Sequence, residues 1–372
     1  MLAHIALVGS RVTTSLYALS LHASPFSVGI LIALFSVFPM LFAVQIGRLI
    51  DRIGIAQPML CGATLMGFGC AIPSLFGGLS VLYVAVSLIG LGFIAIHVSV
   101  QHAVGALSTP ETCAACFSRM AMSYSISSFS GPIIAGFVID HARHGVAYLI
   151  LNGFVLLTIL LMLLSRLDRI KLVPHVPENT SESIFDLLRN REMRPIYIIS
   201  VLLGSAWDLF NFVMPIHGSQ LGFSASTIGL IIGGFSASTF TIRLAMGWIS
   251  RRYSEWHVLT MALSMAVICF GLFPLMENFA SILAVTIVLG LALGSSQPNV
   301  LSLLHHASPA GRAGEAVGIR VTISNACQVA LPLAFGAAGA TLGLFAVFWG
   351  MGVMIGTGVP LAWRKASAES KV

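Results

Sequence analysis

The residues best suited to chemistry in this 372-residue chain are the few ionisable side chains set inside its apolar runs. Asp208, in GSAWDLFNF, is the one acid well inside such a run. A carboxylate there could load and release a proton, or serve as the fixed partner of an arginine such as Arg11. Arg11, in ALVGSRVTTSLYAL, keeps its charge and so must pair, bind an anion or face water. His97 and Gln101 lie four residues apart, on one face of a helix, where an imidazole could relay a proton, bind a solute or bond a neighbouring carbonyl. Asn211 could offer a neutral contact or a hydrogen bond between helices. Arg243 and Arg320 fall nearer the ends of their runs, which fits snorkelling or packing at a gate better than contact with a solute.

Other chemistries find little support. CAAC at 113–116 has no second Cys/His pair at zinc spacing, and no HExxH, GxSxG or Walker A sequence occurs. The expectation is a protein that is not an enzyme, holds no metal or cofactor, and draws energy from an ion gradient, most simply of protons.

The elements that position these groups follow from composition. Hydrophobic residues make up 57% of the chain and charged residues 9%, whereas a soluble protein carries about 25% charged residues. Mean hydropathy is +0.95. A spanning helix needs about 20 apolar residues, and twelve such runs are expected near 2–20, 27–49, 58–77, 80–103, 117–139, 145–165, 195–217, 226–249, 256–275, 280–303, 316–338 and 343–363. The first begins almost at Met1 without a basic leader and is read as a span, not a cleaved signal. The fold class predicted is an all-α integral membrane protein with a lipid bilayer as its solvent.

Net charge is +6, but the basic residues sit in short loops and form no extended patch, so no nucleic-acid partner is expected. Their placement instead sets topology. Odd-numbered loops hold only Arg143, while even-numbered loops and the tail hold Arg48, Arg52, Arg119, Arg251, Arg252 and Arg364 among others. The positive-inside rule then puts both termini in the cytoplasm, in a plasma (inner) membrane. Residues 166–194 form the longest polar segment and divide the chain into a bundle at 1–165, a cytoplasmic linker, a bundle at 195–363 and a tail at 364–372. Within the linker, SESIFDLLRN could form a short helix beginning at Ser181 or Ser183.

The two halves repeat at an offset of 200. Leu21, Ser24, Gly29, Ile32, Phe35 and Ser36 meet Leu221, Ser224, Gly229, Ile232, Phe235 and Ser236. Gly90 meets Gly290, and Pro132 and Gly136 meet Pro332 and Gly336. GRLIDRIG at 47–54 returns as GWISRRYS at 247–254. Six spans repeated in parallel across a long cytoplasmic loop is the layout of a two-halved secondary transporter.

GRLIDRIG resembles the loop signature of the major facilitator superfamily, G-x-L-x-D-R-x-G, with Gly47, Leu49, Asp51, Arg52 and Gly54 in place. Ile55, Ala56 and Gln57 stand where basic residues usually follow. GPIIAG at 131–136 resembles a motif of the superfamily's antiporters through Gly131, Pro132 and Gly136, with Ser123 where a glycine is expected upstream. The resemblance implies twelve spans in two pseudo-symmetric six-helix bundles. It also implies that Asp51 braces one half against the other, near the start of the eleventh span, or that the loop's arginines merely fix topology. Gly47, Asp51, Arg52, Gly54, Arg119, Arg243 and Arg320 are the inner-gate candidates. Asp208, Arg11, His97, Gln101 and Asn211 are the coupling and cavity candidates. The function implied is alternating-access transport of a small molecule by a monomer, as proton-coupled efflux of amphipathic, drug-like compounds. Arg11, standing where many of these antiporters have an acid, keeps open uptake or exchange of a small organic anion. A membrane sensor or intramembrane enzyme is the remote alternative.

Overall fold

The computed structural model describes residues 1–107, 110–165, 184–308 and 313–369, with some helical residues, Asp51, Cys113, His305 and Glu315 among them, described by backbone alone. The linker up to residue 183, Arg312, the proposed caps at Ser181 and Ser183, and the side chain of Asp51 thus lie outside the described residues.

Every regular element among the described residues is helical. In chain order they are α1 (Leu2–Ser20), α2 (Pro25–Ile53), α3 (Ala56–Leu75), α4 (Leu79–Leu107), α5 (Pro110–His141), α6 (His144–Leu164), α7 (Ile184–Arg189), α8 (Met193–Gln220), α9 (Ala225–Ile249), α10 (Glu255–Leu272), α11 (Phe279–Ala307), α12 (Ala313–Gly356) and α13 (Gly358–Glu369). The seventh to tenth expected spans are therefore α8 to α11 with a 3₁₀ turn at Phe273–Leu275. Among the described residues 10 stretches are long and apolar enough to cross a bilayer. The last of these, Ile319–Ala368, is not one continuous helix: α12 breaks within it at Gly343 (φ 80°, ψ 168°), and α13 follows. The first expected span, α1, falls outside the set: it carries Arg11, His4 and a buried run of Ser10, Thr13, Thr14 and Ser15. Those hydroxyls satisfy themselves within the helix or across it. Thr13 Oγ1 donates to the Gly9 carbonyl at 2.9 Å, and Thr14 Oγ1 meets Tyr148 Oη at 2.6 Å.

Local sequence explains the helix ends. In HASPFS, Ser24 accepts from the Ser27 amide and Pro25 supplies a preset first turn. Gly54 closes α2 with φ 86°, a left-handed conformation that favours glycine, and its amide bonds the Ile50 carbonyl at 2.8 Å. Leu160, Leu161, Leu163 and Leu164 on α6, and Trp349 and Val353 on α12, are exposed, as surfaces turned toward hydrocarbon should be.

The chain forms two compact units, Met1–Glu178 with Pro215–Gly233, and Asn179–Met214 with Gly234–Val372. The first unit thus includes the hairpin joining α8 to α9. In it α3 packs on α4 and α6, α2 on α4, and α1 on α5. The second is built around α10, which packs on α11, α12 and α13. Its core holds a cluster of rings: Phe210 stacks on Phe235 at 4.5 Å between centroids, and Phe273 lies 5.9 Å from Phe210 and 5.6 Å from Phe348.

The repeat is visible as repeated geometry. A β-carbon on Gly90 would lie 2.8 Å from the Phe35 carbonyl oxygen, and one on Gly290 would lie 2.7 Å from the Phe235 carbonyl oxygen. Ser24 Oγ meets Ser27 Oγ at 3.1 Å, as Ser224 Oγ meets Thr227 Oγ1 at 3.1 Å. His22 (φ 58°) and Gly222 (φ 75°) occupy the same left-handed position after their helices. The Ala23 amide reaches back to the Ala18 carbonyl as the Phe223 amide does to Gly218. Backbone approach and turn chemistry, more than residue identity, are what the halves share.

Candidate functional site

Each unit holds a cavity built from the candidate residues. That of the second unit, about 310 Å³, is walled by α8, α9, α11 and α12. Small residues open it: Ser200 and Gly204 of α8 stand one turn apart, and Ser296 of α11 and Ser324 of α12 face in. Trp207 and Asp208 follow on α8, Arg243 on α9, Gln297 on α11, and Arg320, Asn325 and Gln328 on α12. Arg243 is tethered. Its Nη2 donates to Gln297 Oε1 at 3.1 Å, its Nε to the Gly294 carbonyl at 3.4 Å, and its guanidinium lies 5.9 Å from the Trp207 ring centroid. Trp207 is braced in turn edge-on against Phe235, 4.7 Å between centroids. Arg320 has its Nε buried with no hydrogen-bond partner among the described residues. The wall therefore presents two guanidiniums and one carboxylate among neutral amides and hydroxyls, over an apolar floor of Leu203, Leu293, Val300 and Val321. Such a mixture can orient a small polar group and hold a proton beside it.

The cavity of the first unit, about 320 Å³, lies among α1, α4 and α5 and is lined by His4, Phe93, His97, Arg119, Met120 and Tyr124. Gln101 Nε2 meets His97 Nε2 at 2.9 Å, and an amide nitrogen only donates. His97 Nε2 therefore accepts, Nδ1 carries the proton, and it donates to Tyr124 Oη at 3.0 Å. The Tyr124 ring also lies 4.7 Å from His4, whose Nδ1 is buried with no partner among the described residues.

The structure gathers some candidates and separates others. Arg243 and Arg320, expected from their sequence positions at an inner gate, share the cavity wall with Asp208. Asn211 does not line that wall; its amide donates to the Trp207 carbonyl at 2.8 Å. Arg11 belongs to the first unit, where Nη2 donates to Ser36 Oγ at 3.2 Å and the guanidinium lies 5.6 Å from the Phe35 ring. It lines neither cavity. Around the charged loops, Gly47 and Gly247 have open space, Arg52 is exposed, and Arg252 lies over Trp248 at 4.8 Å.

The GPIIAG glycines mark close approaches. A β-carbon on Gly131 would sit 3.0 Å from the Ile5 carbonyl of α1. One on Gly136 would sit 2.2 Å from the Ala225 carbonyl, and one on Gly229 2.4 Å from the Pro132 carbonyl. One turn beyond Gly136, Asp140 caps the same helix start: Oδ1 accepts from the Ala225 amide and Oδ2 from the Ser226 amide, each at 2.8 Å. Sequence reasoning missed this cap. The available signal was the place of Asp140 in the last turn of α5, where a carboxylate opposes its own helix dipole.

Comparison with known proteins agrees with this architecture. The model of the Major Facilitator Superfamily matches residues 2–332, and again 196–371. Multidrug resistance protein 1 of Bacillus subtilis (strain 168) is 23% identical over 291 residues, covering 76% of this chain and 73% of that protein. Among solved structures, a POT family transporter bound to a thioalcohol-conjugated peptide superposes with TM-score 0.81 at 14% identity, covering 100% of this chain and 94% of that one. The nucleoside transporter NupG gives TM-score 0.75 at 15% identity, with 98% and 96% covered. At such identities the structures speak for the fold alone. The chain belongs to the Major Facilitator Superfamily, as a multi-pass, all-helical secondary transporter that takes a small molecule through the membrane.

Proposed function

We propose that the chain carries a small amphipathic molecule by alternating access, coupled to protons through Asp208, with the second unit's cavity reading the solute's polar end. The observation that carries this reading is Asp208 in one wall with Arg243, Arg320 and three side-chain amides. A carboxylate that exchanges a proton changes the field felt by any solute beside it, which is what coupling requires. The His97–Tyr124–Gln101 relay in the first unit serves as a second proton-handling group. Asp51 and the arginines of the charged loops act as an inner gate, with both termini in the cytoplasm of a plasma-membrane monomer. The likeness to multidrug resistance protein 1 favours a second reading, export of a lipophilic drug-like compound in exchange for protons. The Gly136 and Asp140 contacts on α9 are consistent with the resemblance of GPIIAG to an antiporter motif.

The test is flux in proteoliposomes with and without a pH gradient, using tetraphenylphosphonium and benzoate as probes. Asp208→Asn is expected to abolish the gradient-driven component and spare gradient-free exchange. Gradient-driven flux that survives Asp208→Asn at the wild-type rate would remove Asp208 from the coupling role.

A further inference from the structure

The charge balance of the second unit's cavity goes further than its shape. Its described wall holds two guanidiniums and one carboxylate. Among the described residues Arg243 donates to a carbonyl and to an amide oxygen, both neutral, and Arg320 has a buried Nε with no hydrogen-bond partner. A guanidinium in a membrane-embedded wall is costly unless an anion or water meets it. Arg243 is held in place from three sides by Gly294, Gln297 and the Trp207 ring, so its remaining donor edge is preset. Preset guanidinium donors beside an apolar floor fit a carboxylate on a compact apolar body.

We infer that this cavity selects a small organic monoanion, a carboxylate by chemical class, and that the anion and the proton on Asp208 bind together. The inference rests on the proposed coupling role of Asp208 and adds the substrate's charge and the sign of coupling. With Asp208 ionised the wall carries one positive charge in excess; with Asp208 protonated it carries two. Among the described residues that line this wall or act on Asp208, the charged or titratable groups are Arg243 of α9 and Arg320 and Cys327 of α12, while α11 lines it with the neutral side chains of Leu293, Ser296, Gln297 and Val300. Protonation therefore removes the negative charge that, among the described residues of the wall, repels a bound anion. Each ligand strengthens the other by the same factor, and a carrier with that property moves proton and anion in the same direction. A lipophilic cation would behave oppositely, because it competes with the proton for Asp208.

Equilibrium binding of radiolabelled benzoate to the purified full chain, with benzamide as the neutral isostere, tests the idea. Measurements at about pH 6 and about pH 8 both lie above the ordinary carboxylate range of about 4, so the probe stays ionised. Expected is binding of benzoate roughly tenfold or more tighter than benzamide, stronger at the lower pH. Arg243→Gln and Arg320→Gln should each lose that preference, and Arg320→Lys should keep part of it, which separates loss of charge from misfolding. Asp208→Asn should bind benzoate tightly at both pH values. Equal binding of benzamide, benzoate binding untouched by both glutamine variants, or benzoate weakened by acid would each overturn the inference. Gradient-driven flux of tetraphenylphosphonium lost in Asp208→Asn, with no benzoate binding, would leave the coupling role standing and sink the anion. Absence of gradient-driven flux for every probe would instead sink the coupling role itself.

Discussion

Alanine at Gly90 and at Gly290 should damage the two units by the same amount. At Gly90 the new methyl would stand 2.8 Å from the Phe35 carbonyl oxygen and 3.2 Å from its carbonyl carbon and Cα. At Gly290 it would stand 2.7 Å from the Phe235 carbonyl oxygen and 2.8 Å from Ser238 Cβ. None of these atoms is the tip of a flexible side chain, so the helices themselves must part. Overpacking of this kind costs about 1–3 kcal/mol, and the better helix propensity of alanine offsets up to about 1 kcal/mol of it. A net loss of about 1–2 kcal/mol is expected at each position, similar at the two and additive in the double variant within about 0.5 kcal/mol, since the sites lie in different units. Gly153→Ala is the control: the residue is exposed on α6 with nothing within 4 Å of the added carbon, so it should be neutral or slightly stabilising. Denaturation in mixed micelles across a titration of sodium dodecyl sulfate reads all four variants. Wild-type stability in either Gly90→Ala or Gly290→Ala would refute the claim that the repeat is a repeat of backbone contacts.

Two further substitutions probe local features. Asp140→Ala deletes both acceptors that cap α9 and should lower stability by about 1 kcal/mol in the same titration, with Asp140→Asn intermediate; an unchanged midpoint for Asp140→Ala would mean the cap contributes nothing. His22→Gly relieves a left-handed side chain at a position where the second half already has Gly222, and should raise stability by up to about 1 kcal/mol, whereas Gly222→His should lower it.

The spans were legible because twenty-residue apolar runs have few other uses, and observed helices begin and end within a few residues of the expected ones except where α2, α4, α5 and α11 extend beyond the hydrocarbon-length core and where the twelfth expected span, 343–363, is shared between the end of α12 and α13. The charged residues within spans were also conspicuous in the sequence. What the sequence could not supply was their grouping. Asp208, Arg243 and Arg320 come from three helices spread over more than a hundred residues, and periodicity along one helix says nothing about which neighbour it faces. The same blindness hid the Asp140 cap, whose partners lie 85 and 86 residues on. Trp207 and Tyr124 were overlooked for a different reason: aromatic rings are ordinary in apolar runs, and only their seats against Arg243 and His97 set them apart.

The break at Gly343 decides where the end of the chain is delivered. Drawn out straight, the 44 residues of α12 would reach about 66 Å, roughly twice the ~30 Å of bilayer hydrocarbon. The backbone at Gly343, where an added β-carbon would meet nothing within 4 Å, leaves the helical conformation and divides that rod into two helices, so that a single apolar run can be inserted as two. A residue that resists φ 80° would bias the nascent chain toward the straight rod, stranding α13 in the opposite aqueous compartment.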